Sequence, residues 1–324
     1  VPSRQIGRIA ACAYGRVVLD DSTDRPMLAL GLRLAGIGAM AGMGALIKAA
    51  GVQGANLVEI IFWRQAASVV LILAWVLATG TLSSLATKRP KAHFTRSFYG
   101  MVGMTLNFGA LLLLPLAEAV TMSFSAPIFA VVLSVLLLGE KVHAWRWGAV
   151  AAGFVGVLVI AQPGGDHLPL VGAAAGLAGA FMIALISIHL RDLTRTEQSL
   201  TIVFWFGAVT VICALPLMLA MGQAHNGLEW LLLAGIGVAG TIGQILITLA
   251  LRYGKVSSVI VMDYSGLVWA TLLGWLIFSD LPPLTTWIGA PLVVGAGLVI
   301  AWREQIRARR KPIEPHPITG TEIR

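Results

Sequence analysis

Apolar runs recur along the whole chain, broken by short polar stretches. They fall at 29–48, 57–80, 97–115, 118–138, 146–162, 169–189, 199–221, 228–251, 256–278 and 285–302. Each predicts a membrane helix, because roughly 20 residues rising 1.5 Å apiece cross a hydrocarbon layer of about 30 Å. The fifth and tenth are only just long enough. Polar residues inside these runs are few, so each one stands out. Asn56–Ala67 (NLVEIIFWRQAA) carries Glu59 and Arg64 within an otherwise apolar segment. Ser199–Ala208 (SLTIVFWFGA) copies its aromatic frame, so that Ile61-Phe62-Trp63-Arg64 falls on Val203-Phe204-Trp205-Phe206. The aromatics recur and the arginine does not.

Further landmarks extend this repeat. Gly103-Met104-Thr105-Leu106-Asn107 matches Gly240-Thr241-Ile242-Gly243-Gln244, which puts an amide in the middle of spans three and eight. Phe129-Ala130 through Glu140 matches Trp269-Ala270 through Asp280, and Gly156–Ala161 matches Gly297–Ala301. Shared polar and aromatic landmarks in one order favour duplication over the chance likeness of apolar helices. Five spans per copy is an odd number, so the second copy enters the membrane upside down. The expected fold is therefore an all-α membrane protein of ten transmembrane helices in two five-helix inverted-topology repeats. The first repeat is 29–162 and the second 163–303, joined by the turn-rich Gln162–Leu168. Inverted repeats build secondary transporters, with the solute site near the midplane where the halves meet.

Charge fixes the orientation. Only 12% of the 324 residues are charged, 57% are hydrophobic and the mean hydropathy is +0.85, against about 25% charged in soluble domains. The net charge of +8 would suggest nucleic acid in a soluble protein. With the N-terminus inside, however, all lysines and arginines except Lys48 and Arg64 fall on cytoplasmic segments. That set includes Arg33 at the start of the first span and Arg96 just before the third. The asymmetry predicts both termini in the cytoplasm and leaves nucleic acid without a role. Trp145, Trp147, Trp230, Trp287 and Trp302 lie near helix ends, as interfacial tryptophans do. Residues 1–28 lack the apolar core of a signal peptide and read as a cytoplasmic extension. Residues 304–324 read as a disordered basic tail able to touch anionic lipid.

Cys12 and Cys213 form no framework, no Cys/His metal spacing occurs, and the GxxxxGK[ST] phosphate loop is missing. No metal or cofactor is expected, and ATP does not drive the protein directly. A membrane enzyme would need acid, base or metal ligands clustered at one face, whereas the His, Asp and Glu here are scattered. A scaffold would need a binding loop, and only the short tail is available.

Two stretches carry a family resemblance. Leu114–Val142 (LPLAEAVTMSFSAPIFAVVLSVLLLGEKV) and Leu251–Asp280 (LRYGKVSSVIVMDYSGLVWATLLGWLIFSD) resemble the paired repeat signatures of the EamA-type drug/metabolite transporter superfamily. The resemblance covers roughly 29–303. It implies ten helices, inverted repeats, an inner-membrane location, and movement of small organic solutes such as amino acids, nucleosides, vitamins or drugs. The family commonly has glutamate where this chain has Asp263 and Asp280, and glutamate or another polar residue at Lys255. Export of an amino acid or related solute is the expectation from that resemblance, with uptake of a vitamin or nucleotide-like metabolite as the alternative.

The candidate solute-binding residues are Arg64, Asp263, Asn107, Gln244, Trp63, Tyr264 and Trp269. Arg64 sits ~10 Å into span two, where an arginine is costly unless paired or facing water. It would bind an anionic group, or else snorkel outward or pair with Glu59. Asp263, ~10 Å into span nine from the cytoplasmic end, would carry a coupling proton or hold a substrate ammonium, or else pack between helices. A zwitterion could bridge the two. Asn107 and Gln244 would line a cavity or bond helices together, and the aromatics would wall a planar ligand or pack in the core. Lys48 and Glu59 would pair as an outer gate, unless Lys48 snorkels. Glu140 and Asp280 read as helix ends.

Overall fold

The computed structural model describes residues 26–138, 144–162, 169–193, 196–253 and 261–310. The N-terminal extension, Glu140, all of the 162–168 link except Gln162, Lys255 and the tail beyond 310 lie outside the described residues. Among the described residues there are eleven α-helices and no strand. They are α1 (Pro26–Val52), α2 (Leu57–Ala78), α3 (Pro90–Leu113), α4 (Leu116–Ser123), α5 (Ala126–Leu138), α6 (Ala144–Ala161), α7 (Leu170–Leu193), α8 (Ser199–Met221), α9 (Gly227–Tyr253), α10 (Ser265–Phe278) and α11 (Leu284–Arg310). Short 3₁₀ turns occupy Leu82–Leu85 and Val261–Tyr264.

Among the described residues, six segments are long and apolar enough to cross a membrane: 27–52, 57–78, 116–136, 170–187, 200–221 and 227–247. Three apolar helices within 147–161, 262–278 and 284–300 are shorter. Large side chains such as Trp75, Leu136 and Leu219 are more than half exposed, which suits a surface facing lipid.

Two boundaries differ from expectation in ways that matter. First, α3 starts at Pro90, seven residues before the apolar run begins. Proline at the first helical position loses no hydrogen bond there, so the helix nucleates in polar sequence and takes His93 and Arg96 with it. Second, the fourth span is broken between α4 and α5. Pro127 has no N–H to give the Ser123 carbonyl, and the chain turns through Phe124 and Ser125 instead. At the other end of the chain, α11 continues to Arg310, so the basic tail begins as helix.

The helices are paired across the two halves. α1 packs on α9, and α7 packs on α3. α2 packs on both α8 and α9, and α8 on both α2 and α3. α10 packs on α1 and α4, while α4 and α5 pack on α7; α6 packs on α11. Exchanging each helix for its counterpart five spans away maps this set of principal contacts onto itself. The two halves are thus interleaved, each principal contact having its exchanged equivalent. Where α6 crosses α11 the backbones nearly touch: a Cβ on Gly156 would lie 2.7 Å from the Gly289 carbonyl oxygen, and one on Gly289 only 2.6 Å from the Gly156 carbonyl oxygen. Small residues permit this approach, which is how helices gain contact energy in lipid. Buried apolar residues form two main clusters. One joins α3, α4, α6, α7 and α11 around Met122 and Ile160, and the other joins α1, α2, α3 and α9 around Ile47 and Ile236.

Candidate solute site and the polar clusters around it

Arg64 projects from α2 toward α3 and α9. Its Nη1 donates to Gln65 Oε1 and lies 3.9 Å from Met104 Sδ. Its Nε is buried without a partner. Gly240 of α9 lies beside it, where a Cβ would be 3.5 Å from Nε but only 2.7 Å from Met43 Sδ. A second arginine shares this interior. Arg96 of α3 lays its guanidinium over the Phe206 ring, 4.5 Å from the centroid, and its Nε and Nη1 are buried without partners. Gly100 makes space for that guanidinium, because a Cβ there would collide with Nη1. Neither arginine has a carboxylate partner among the described residues. Nearby, Ser68 of α2 and Thr241 of α9 pair through their hydroxyls at 3.1 Å.

Asp263 is not opposite Arg64. Arg33 of α1 holds it through two bonds of 2.6 Å, Nε to Oδ1 and Nη2 to Oδ2. Arg33 is 7% exposed, so it belongs to the helix interior and not to a loop. At the opposite end of α1, Lys48 bonds Asp280 at 3.0 Å and the Leu114 carbonyl at 3.3 Å. Asp280 is aimed there by Ser279, whose left-handed φ of 57° ends α10. That conformation costs a non-glycine residue about 1 kcal/mol.

Lys48 therefore does not pair with Glu59. Glu59 forms a reciprocal cap with Asn56 at the start of α2 and accepts from the Gln223 N–H at 2.7 Å. It also meets His225 Nε2 at 3.0 Å, while His225 Nδ1 meets Glu229 at 2.8 Å. The cluster ties the α8–α9 loop to α2. Glu118, fully buried at the head of α4, accepts from Thr286 of α11 at 3.0 Å.

The remaining candidates are mainly in packing contacts. Asn107 donates to the Gly103 carbonyl and accepts from Ser123 Oγ, tying α3 to the end of α4. Gln244 lies on the exposed side of α9. Trp63 meets Trp230 edge to face, with centroids 5.1 Å apart. Trp269 lies against Gly38 of α1. Tyr264 packs on Phe124 and abuts Gly297.

Arg96, Gln65, His225 and Glu118 were not singled out from the sequence. Pro90 is the missed signal for Arg96, since a first-turn proline marks a helix start. The Asn56-x-x-Glu59 spacing likewise announces the cap of α2.

Two interleaved halves around a polar interior match a known group of proteins. The sequence fits the EamA-like transporter family over 28–162 and again over 170–302. The chain belongs to the EamA-like transporter family. It is 31% identical over 250 residues to a riboflavin transporter of Vibrio cholerae, covering 76% of this chain and 84% of that one. It is 30% identical to the pseudopaline exporter CntI of Pseudomonas aeruginosa, covering 75% and 85%. It is 27% identical to an S-adenosylmethionine uptake transporter of Rickettsia felis, covering 78% and 85%. A crystal structure with 23% identity shares the fold at a TM-score of 0.56, over 87% of this chain and 99% of the other. As an EamA-like transporter, the protein is a multi-pass inner-membrane carrier of small molecules and not an enzyme.

Proposed function

We propose that this EamA-like transporter is a secondary carrier exporting a small organic metabolite, an amino acid or related solute, by alternating access. Ten spans, inverted repeats and cytoplasmic termini belong to this proposal. The observation that carries it is the exchange symmetry of the helix contacts, since a pseudo-two-fold machine can present one central site to either side. Arg64 is the proposed substrate-facing residue, supported by its buried Nε without a partner and by the lack of a carboxylate partner among the described residues. Asp263 is proposed as the site of a coupling proton, because neutralising it would release Arg33. Trp63, Tyr264, Trp269, Asn107 and Gln244 are proposed as walls and supports of the path.

The second reading is uptake of a vitamin or nucleotide-like metabolite. It is favoured by the relatives named for riboflavin transport and S-adenosylmethionine uptake. Purified protein in proteoliposomes, loaded with labelled amino acids, flavins or nucleosides, tests both. Gradient-driven flux of one class is expected, and its sidedness assigns direction. No flux for any class would overturn the carrier assignment.

A further inference from the structure

The polar atoms left unpaired on Arg64, Gln65 and Arg96 are all donors: Arg64 Nε, Gln65 Nε2, and Arg96 Nε and Nη1. A buried donor without an acceptor costs about 1–3 kcal/mol, and more when charged. Two of these side chains are also cations without a counter-charge among the described residues. The same fold pairs its other helix-embedded cations on α1, joining Arg33 to Asp263 and Lys48 to Asp280. The deficit at Arg64 and Arg96 is therefore local.

Their geometry points inward. Helix side chains normally lean toward the N-terminus, and a membrane arginine near a helix end normally reaches for that end. Arg96 does the reverse. Its guanidinium lies at the level of Gly100, one turn deeper into α3. Arg64 reaches α3 at Met104, one further turn along. Two levels four residues apart on one helix are separated by about 6 Å, close enough for both guanidiniums to engage one small group. The Phe206 ring lies beneath Arg96. Phe206 is also the repeat counterpart of Arg64, so the first half supplies the cations and the second the aromatic floor.

We infer that Arg64, Arg96 and Gln65 form a seat for an oxyanion, the carboxylate or phosphate group of the transported solute. This rests on the carrier reading above. Carboxylate and phosphate oxygens can accept from several of these donors at once, and arginine engages either in a planar fork. A water would fill acceptor positions but leave both charges uncompensated. A headgroup phosphate at the membrane surface is away from the direction in which Arg96 extends.

The test is thermal unfolding of the purified full-length protein, followed by tryptophan fluorescence. Inorganic phosphate and succinate are titrated separately against chloride at constant ionic strength. A saturable rise in Tm is expected with one of them, which assigns the oxyanion. Arg64→Gln and Arg96→Gln should weaken the apparent affinity at least tenfold, while their ligand-free Tm is unchanged or higher, because an unpaired buried charge has been removed. Arg96→Lys should fall between them and the parent protein. Equal rises in all variants, no rise with either anion, or a rise only on adding phosphatidylglycerol would overturn the seat. So would a lower ligand-free Tm with anion affinity intact. Proteoliposome flux of the winning anion's class separates the two proposals: binding without flux overturns the carrier reading alone, and flux unchanged in both glutamine variants overturns the seat alone.

Discussion

The rings of Phe124 and Tyr264 are 5.2 Å apart with planes tilted by 37°. The offset of 140 that aligns Phe129 with Trp269 makes these two residues counterparts, so equivalent positions of the two halves meet. Phe124 sits in the break between α4 and α5, and Tyr264 ends the turn before α10. The two interruptions of the bundle are thus in contact. Aromatic pairs of this kind contribute about 0.5–1.5 kcal/mol beyond the area they bury.

The hydroxyl of Tyr264 lies where a side chain at Gly297 would be. Gly297→Ala should lower Tm in detergent, by the equivalent of about 1–3 kcal/mol for an overpacked site. Adding Tyr264→Phe removes the nearest atom and leaves the next at 3.4 Å, so the double variant should recover most of the loss. A Gly297→Ala loss that Tyr264→Phe does not reduce would place the clash elsewhere.

Arg33 and Asp263 should behave as a coupled pair. Arg33→Ala and Asp263→Ala are each expected to cost about 2 kcal/mol, the low end for a truncated charge pair, because 32% of the Asp263 side chain is exposed. The double variant should be more stable than the sum predicts, by about 1–2 kcal/mol. Additive losses in chemical unfolding would show that the contact carries no coupling. Asp263→Asn should also change the pH profile of flux if that carboxylate carries the coupling proton.

Glu59 holds the α8–α9 loop by its carboxylate. Glu59→Ala should remove the reciprocal half of the α2 cap, the bond its carboxylate accepts from the Asn56 N–H, and free the Gln223 amide, while Asn56 still caps the helix through the residue-59 backbone. Hydrogen exchange at 222–226 should then accelerate, while exchange in the middle of α8 stays as it was. Unchanged protection at Gln223 would mean that the loop is held by other contacts.

On α11, two glycines make a matched pair of controls. Gly289 faces the α6 backbone, whereas a Cβ on Gly295 would meet nothing within 4 Å. Gly289→Leu should separate α6 from α11 and sharply reduce the yield of folded protein. Gly295→Leu should be near neutral. Comparable losses at both sites, read by size-exclusion profile and Tm, would deny the close crossing.

What the sequence made legible follows from how lipid constrains a chain. Backbone groups must be satisfied within a helix, so uninterrupted apolar runs translate directly into elements. Duplicated landmarks such as Trp63 and Trp205 exposed the two copies. Partners were not legible, because they depend on helix rotation and tilt. Nothing in the pattern says that Asp263 meets Arg33, 230 positions away, or that Lys48 meets Asp280 and not Glu59. Arg96 was hidden for a different reason. Hydropathy starts a span where polar residues stop, whereas α3 starts where Pro90 allows it. Arg64 stood out from sequence alone because it breaks both the apolar pattern and the repeat.

The two ion pairs of α1 lie near its opposite ends, Arg33 and Lys48 being fifteen residues or about 22 Å apart. Both reach the same neighbouring span, at Asp263 before α10 and at Asp280 after it. Two struts bolted at both ends move as one beam. Any opening that leaves those bolts fastened must swing this beam whole and find its hinge in other helices. An opening that loosens one bolt turns the other into a pivot.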